Sequence, residues 1–336
     1  MRFSAMGDAA MTVPVIKAVL RQNPTLKITF VSKPLFAAMF KDIPRLSFFA
    51  VDFEGRHKGF AGLWRLFRDL RPLNIDALAD LHNNIRSQIL SKFFMLAGKT
   101  IVHLDKERSD KKKAVRLKNK ELKPLKHNTE RYADVFRKLG FTVTLSHHLE
   151  RVHPRENLKL DQFSGVKSCS WLGISPFAQH IGKIYPAEKM EELIGLLSPK
   201  DIKIFLFGGG SQEQEICEAW EKKFGNVVST VSRISLEEEL DLIAKLDVML
   251  SMDSAGMHLA SMQGVPAVSV WGSTHPFLGF HGYGQPEENI VQNPIGCRPC
   301  SRYGKTPCYR PERDYACLNW ITPQEILERL LPYVSE

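Results

Sequence analysis

Short β-rich runs alternating with helical patterns along 336 residues predict an α/β protein of two Rossmann-like halves. Length supports this, because domains of roughly 100–200 residues make two in a chain of this size. In both halves, moreover, strands run into Gly-, Ser- and Asp-containing turns before a helix, the arrangement of a ligand-binding sheet edge.

In the first half, residues 27–32 (KITFVS) read as a strand. Residues 13–20 read as an apolar helix with Thr12 as its N-cap and Pro14 in the first turn, where no donor is missed. Residues 75–81 (IDALADL) give a second buried strand and 131–139 a helix. In the second half, 169–174 is a strand, and Pro186 opens a helix whose Met190, Leu193, Ile194 and Leu197 recur at i, i+3, i+4, i+7. Residues 202–207 (IKIFLF) form a strand ending in Gly208, Gly209 and Gly210. Ser235 and Glu238 make a capping box for a helix through Leu246. Strands at 248–251 and 267–271 flank a helix over about 256–263, and a closing helix covers 323–331. The polar stretch 151–165 separates domains at 1–160 and 166–320, leaving 321–336 as a helical tail that is a candidate to pack back on the first domain.

Composition excludes several classes. At 43% hydrophobic and 25% charged residues the chain can bury real cores and is not a disordered basic tail. No run approaches the ~20 apolar residues of a membrane span. Asp8 and Pro14 interrupt the mildly apolar start, which therefore reads as mature protein rather than a secretory signal. The six cysteines are expected to be reduced or metal-bound, in the cytoplasm. The net charge of +9 raises nucleic acid, anionic lipid or an acidic substrate as partners. Most of it lies in 106–126, where ten Lys/Arg face three Asp/Glu, a local +7. RNA-recognition and zinc-finger signatures are absent, so a non-catalytic binder of anionic polymers is the minor alternative.

Four stretches carry candidate chemistry. Arg2 to Asp8 (RFSAMGD) is a strand end, a glycine and an acidic residue before a helix; Asp8 is either a general base at the sheet edge or a helix cap. Lys183, in the loop between a strand and a helix, is a phosphate ligand or an exposed lysine. Gly208–Gly210 matches neither phosphate-loop fingerprint, and Glu213 or Glu215 behind it is a ribose ligand unless the turn is merely tight. The richest stretch, 251–260 (SMDSAGMHLA), ends a strand at Asp253 and starts a helix under His258. Its free N–H groups and Ser254 suit a diphosphate, the alternative being a buried turn with a bonded histidine. Gly272 to Pro276 supplies a second polar lip. Cys297, Cys300, Cys308 and Cys317 form a zinc site or packed thiols, the second pair lacking Cys-x2-Cys spacing.

Taken together, RFSAMGDAAMTVPV at 2–15, the Lys183 loop with Tyr185-Pro186, and SMDSAGMHLASMQGVPAVSVWGSTHP at 251–276 resemble glycosyltransferase family 9, the bacterial lipopolysaccharide heptosyltransferases. The order and separation match across nearly the whole chain. The resemblance implies the GT-B architecture, two Rossmann-like domains facing across a cleft, with the acceptor on the N-terminal and the nucleotide sugar on the C-terminal domain. It implies inverting transfer of heptose from ADP-heptose to the lipopolysaccharide inner core, the runner-up being another nucleotide sugar or acceptor within the family. By the same likeness Asp8 is the catalytic base and Lys183 contacts the donor phosphates. Ser254, Ala255 and Gly256 donate to the phosphates, Asp253 reaches the sugar, and His258 supports the site. Glu213 would hold ribose and Ile234 would flank adenine. No cofactor or divalent ion is implied, as no D-x-D-type cluster is present.

This chain departs from the family in two ways. Members usually carry several apolar residues before RFSAMGD, so the first strand is expected to be short or missing here, to be completed by any in-frame upstream apolar segment. Ala255-Gly256 shifts the glycine by one relative to many members. Within this reading the basic strip, with Lys111, Lys112, Lys113, Arg116, Lys118 and Lys120, belongs to the N-terminal domain. It is expected to meet the anionic acceptor at the cytoplasmic face of the inner membrane as a peripheral contact, with no nucleic acid as partner.

Overall fold

The computed structural model describes residues 1–116, 122–311 and 314–334. The chain divides into two compact units, one of Met1–Glu107 with Lys126–Ser146, the other of Arg108–Leu125 with His147–Glu336. The crossover at 146–147 lies ahead of the expected polar stretch. Residues 151–165 belong to the second unit because helix α7 (Leu158–Ser164) packs on α10 (Leu236–Lys245) through buried Leu160.

The first unit contains two parallel strand pairs, β1 (Ile28–Ser32) with β2 (Leu46–Ala50) and β3 (Ala77–Asp80) with β4 (Thr100–His103). Residues 1–3 are bonded to both pairs: the Arg2 N–H donates to Val31 O at 3.2 Å and the Leu81 N–H to Met1 O at 3.2 Å. Their helices are α1 (Met6–Ala10), α2 (Thr12–Gln22), α3 (Gly59–Leu70), α4 (Ile85–Leu96) and α6 (Asn128–Lys138). Phe3, Val31, Leu66, Leu70, Leu78 and Leu90 fill the core. Thr12 is not the expected cap. It lies inside α2, whose N-cap is Met11, and its hydroxyl donates back to Ala9 O at 2.7 Å because α1 ends only one residue earlier.

The second unit carries a six-stranded, all-parallel sheet in the order β10-β9-β8-β5-β6-β7. The strands are β5 (Ser170–Ser175), β6 (Ile202–Leu206), β7 (Val227–Ser229), β8 (Val248–Met252), β9 (Ala267–Trp271) and β10 (Ile290–Gln292). β8 and β9 are buried at every residue, as expected of a parallel sheet covered on both faces. Strand order reverses between β5 and β8, which opens a crevice beyond their carboxyl ends. Helices α8 (Ala187–Leu197), α9 (Ser211–Lys223), α11 (Ala255–Met262) and α12 (Ala316–Asn319) complete the unit with α7, α10 and α13 (Pro323–Leu330). The Ser235/Glu238 capping box opens α10 as expected.

Two further expectations are corrected. The closing helix α13 packs on α8, β9 and β10 of its own unit, because Ile326, Leu327 and Leu330 complete that unit's apolar core. The basic helix α5 (Arg108–Arg116) belongs to the second unit rather than the first. Lys111 is buried, its ammonium 4.0 Å from the ring centre of Phe280, so it is not part of an exposed strip. Lys112, Lys113 and Arg116 are exposed, while Lys118 and Lys120 fall outside the described residues.

Candidate active site

The switch point of the second unit gathers most of the expected donor residues. Asp253 follows β8 directly and is only 4% exposed. The Lys183 ammonium, delivered by the turn Ile181–Lys183 after β5, meets the Asp253 carboxylate at 2.7 Å and its carbonyl at 3.2 Å. The Thr274 hydroxyl donates to the same carboxylate at 2.7 Å. A buried carboxylate is tolerated because a cation and a hydroxyl satisfy it together.

Ser254 is the N-cap residue of α11, in extended backbone, with no side-chain bond to the helix. Ser251 instead accepts the Met257 N–H at 2.9 Å and meets the Ser254 hydroxyl at 3.2 Å. Gly256 permits this close turn: a Cβ there would lie 2.5 Å from Ser175 Cβ. The glycine shift noted in the sequence thus puts the small residue where α11 crosses the end of β5. Ala255 starts the helix and His258 is buried one turn further on.

The second lip is fastened from two sides. The Gly182 carbonyl accepts both the Ser273 N–H at 2.8 Å and its hydroxyl at 2.9 Å. Arg298, between the two cysteines of the Cys-x2-Cys pair, is buried and donates to the Gly272 carbonyl, to Asn293 O at 2.8 Å and to Thr274 O at 3.0 Å. Burial lowers its pKa to about 10, still well above neutral pH. Thr274 and Arg298 are contributions that the sequence did not reveal. Thr274 lies in a stretch already noted for its polarity, whereas nothing local announces Arg298.

Glu213 and Ile234 lie apart from that cluster in contact terms. The Glu213 carboxylate turns back to accept the Gly209 N–H at 2.7 Å, closing the glycine turn ahead of α9. Ile234 is half-buried just before the α10 cap.

Among the described residues no group of three or more His, Cys, Asp or Glu is arranged to hold a metal ion, and no cysteine is in a disulfide. Burial pushes the Cys217 thiol up to about 12 and the Cys317 thiol up to about 11. Both are therefore expected to stay unmodified when the native protein meets iodoacetamide at pH 8 and to react once it is unfolded, as peptide mass spectrometry would show.

In the first unit, Asp8 sits in the first turn of α1 and is about one-quarter exposed (26%). It accepts the Ala5 N–H at 3.4 Å, so it does cap its helix, but capping is a minor part of its environment. Arg2, 6% exposed, forms an ion pair with one Asp8 oxygen, and the Tyr132 hydroxyl donates to the other at 3.4 Å. The guanidinium is anchored by Ser4 O and Leu81 O at 2.7 Å each. Burial works against the Arg2 charge, yet Asp8 and Tyr132 raise its pKa overall. Burial first, and the Asp8 charge with it, pushes the Tyr132 phenol up, so it stays a donor. This clamp joins residues 2, 8 and 132, a separation no local motif reveals.

His82, just beyond β3, accepts the Phe3 N–H at 3.2 Å through Nδ1 and is 7% exposed. Burial, then the Arg2 and Lys106 charges, push its pKa down to about 3. Because the unfolded imidazole titrates near 6.5, the folded state loses stability as pH falls from about 6.5 toward 3, by on the order of a few kcal/mol. His82→Asn keeps an acceptor without that titration, so its thermal midpoint should fall less than that of wild type between pH 6.5 and 4.5.

An all-parallel sheet with a strand–helix turn at its switch point, in a chain that carries a second α/β unit, is the arrangement of a nucleotide-binding α/β protein. The chain belongs to glycosyltransferase family 9 (heptosyltransferase), whose sequence profile matches residues 63–308, and it is therefore a glycosyltransferase. Lipopolysaccharide heptosyltransferase 1 of Escherichia coli K12 is 25% identical over 311 residues, covering 86% of this chain and 93% of that one. A glycosyltransferase family 9 structure from Veillonella parvula superimposes with a TM-score of 0.71 at 19% identity, covering 97% and 94% of the two chains. E. coli heptosyltransferase WaaC with ADP does so with a TM-score of 0.68 at 20% identity, covering 97% and 96%. These likenesses show the GT-B fold. No helix among the described residues is long and apolar enough to cross a membrane.

Proposed function

We propose that the protein transfers heptose from ADP-heptose to the inner core of lipopolysaccharide with inversion at the anomeric carbon. The observation that carries this reading is the β8–α11 turn: a helix N-terminus whose N-cap residue Ser254 makes no side-chain bond to the helix, and a lysine held at its mouth by Asp253. That combination suits a diphosphate, whose charge the N–H groups and the ammonium neutralise. It supports the E. coli relative's activity, transfer to lipopolysaccharide, as this chain's own.

In the proposed reaction Asp8 takes the proton of the acceptor hydroxyl. The hydroxyl oxygen bonds to the anomeric carbon as the bond to the diphosphate oxygen breaks, and ADP leaves. Asp253 would contact the sugar, Ala255 and Gly256 would offer backbone N–H groups to the phosphates, and His258 would back the turn. Glu213 would meet ribose and Ile234 adenine, in the turns that open α9 and α10.

Incubation with a defined inner-core acceptor and, separately, ADP-heptose and GDP-, UDP- and dTDP-sugars tests the reading. Product from ADP-heptose alone is expected. Product only with another nucleotide sugar would replace the donor, and none with any donor would remove the assignment.

A further inference from the structure

We propose that the outer face of α3 and α4 in the first unit is the surface by which the protein docks on an anionic lipid bilayer. The inference rests on the reading above in one respect, that the acceptor is a membrane-borne glycolipid.

Helix α4 carries apolar residues on both sides. Leu90 and Phe94 are buried with Ser87 and Ser91, yet Ile85 is 77% and Leu96 83% exposed. On α3, Leu63, Leu66 and Phe67 already supply the core face, yet Phe60 is 68% and Trp64 48% exposed on the other side. Phe93 of α4 joins the two helices there, with ring centroids 5.7 Å from Phe60 and 5.1 Å from Trp64. Contiguous exposed apolar surface of this kind is uncommon on a protein surrounded by water alone.

The exposed charged residues of these two helices are all basic. Arg65, Arg68, Arg86 and Lys92 are exposed on the same two helices. Their single acidic residue, Asp69, is committed to Arg56 and His57. Exposed aromatic and aliphatic side chains on helices that also expose Arg and Lys match a bilayer interface, where the rings sink to headgroup depth and the cations meet lipid phosphates. A bilayer containing anionic lipid is complementary to both features at once.

The basic helix α5 offers mainly charge among its described residues. Lys112, Lys113 and Arg116 are exposed, while Lys111 and Ala114 are buried. It adds attraction that salt screens, without an anchor.

Co-sedimentation of the full chain with phosphatidylcholine vesicles, with and without 30 mol% phosphatidylglycerol (about one-third anionic lipid, near the charge of a cytoplasmic leaflet), tests the assignment. Wild type should bind the anionic vesicles. Phe60→Ser with Leu96→Ser, which spares Trp64, should weaken that binding at least ~10-fold, since each removes an apolar anchor. Its thermal midpoint and its ADP affinity should be unchanged. Lys112→Glu with Lys113→Glu and Arg116→Glu should weaken binding only a few-fold. Unchanged vesicle binding by the apolar variant overturns the proposal. So does loss confined to the α5 variant, or a wild-type dimer that the apolar variant makes monomeric while vesicle binding persists. Vesicle binding needs no donor, so this result and the donor assay can fail separately.

Discussion

Asp8→Asn is expected to lower kcat by about three orders of magnitude, near 4 kcal/mol of lost transition-state stabilisation, while leaving ADP affinity within a factor of two. Asparagine keeps the size and hydrogen-bonding reach of the side chain but takes no proton from an attacking hydroxyl. The carboxylate is about one-quarter exposed (26%), so an acceptor can reach it, and Arg2 and Tyr132 fix both of its oxygens. The donor-binding candidates belong to the other unit, so ADP titration by calorimetry should not register the change. The variant leaves the buried Arg2 guanidinium opposite a neutral amide, though its bonds to Ser4 O and Leu81 O remain. A modest drop in thermal midpoint is therefore expected. Asp8→Glu retains the charge and separates stability from chemistry. Turnover within tenfold of wild type in Asp8→Asn would remove Asp8 as the base.

Lys183→Ala is expected to weaken ADP binding about 100-fold, near 2.7 kcal/mol, and to lower stability as well. The two losses have different origins. Affinity falls because the ammonium proposed to meet the donor phosphates is gone. Stability falls because, among the described residues, the Asp253 carboxylate, 4% exposed, keeps only the Thr274 hydroxyl as a side-chain partner at 2.7 Å. Combining Lys183→Ala with Asp253→Asn removes the uncompensated charge, so the thermal midpoint should recover while ADP affinity should stay low. Recovery of both would make Lys183 a structural partner of Asp253 alone.

Much of this site was legible in the chain because its parts are local. The 251–260 stretch needs only a strand end, small residues and a helix start, and these follow from β-rich Val248 to Met252 and the absence of breakers after Gly256. The α10 capping box and the amphipathic spacing of α8 are likewise written within a few residues. The basic strip shows the opposite case. A run of lysines says how much charge is present, not which lysine is covered, and it took Phe280, some 170 residues along the chain, to bury Lys111. Phe60 and Leu96 also escaped notice, because an apolar residue on a helix is ordinarily core until the packing places it outside.

The sequence by itself determined the α/β class, the strand–turn–helix units and the residue types at each turn, since these depend on short-range periodicity, capping and backbone freedom. Only the tertiary structure decided which residues from distant segments share a charge. Arg2 and Tyr132 meet on Asp8, Lys183 and Thr274 on Asp253, and Arg298 on the lip at Gly272. It also decided that α13 and α5 belong to the second unit, and that α4 leaves Ile85 and Leu96 exposed while Leu90 and Phe94 face the core. The reason is physical. Local geometry is fixed by neighbours in the chain, whereas the pairing of buried charges and the covering of apolar faces are settled by neighbours in space.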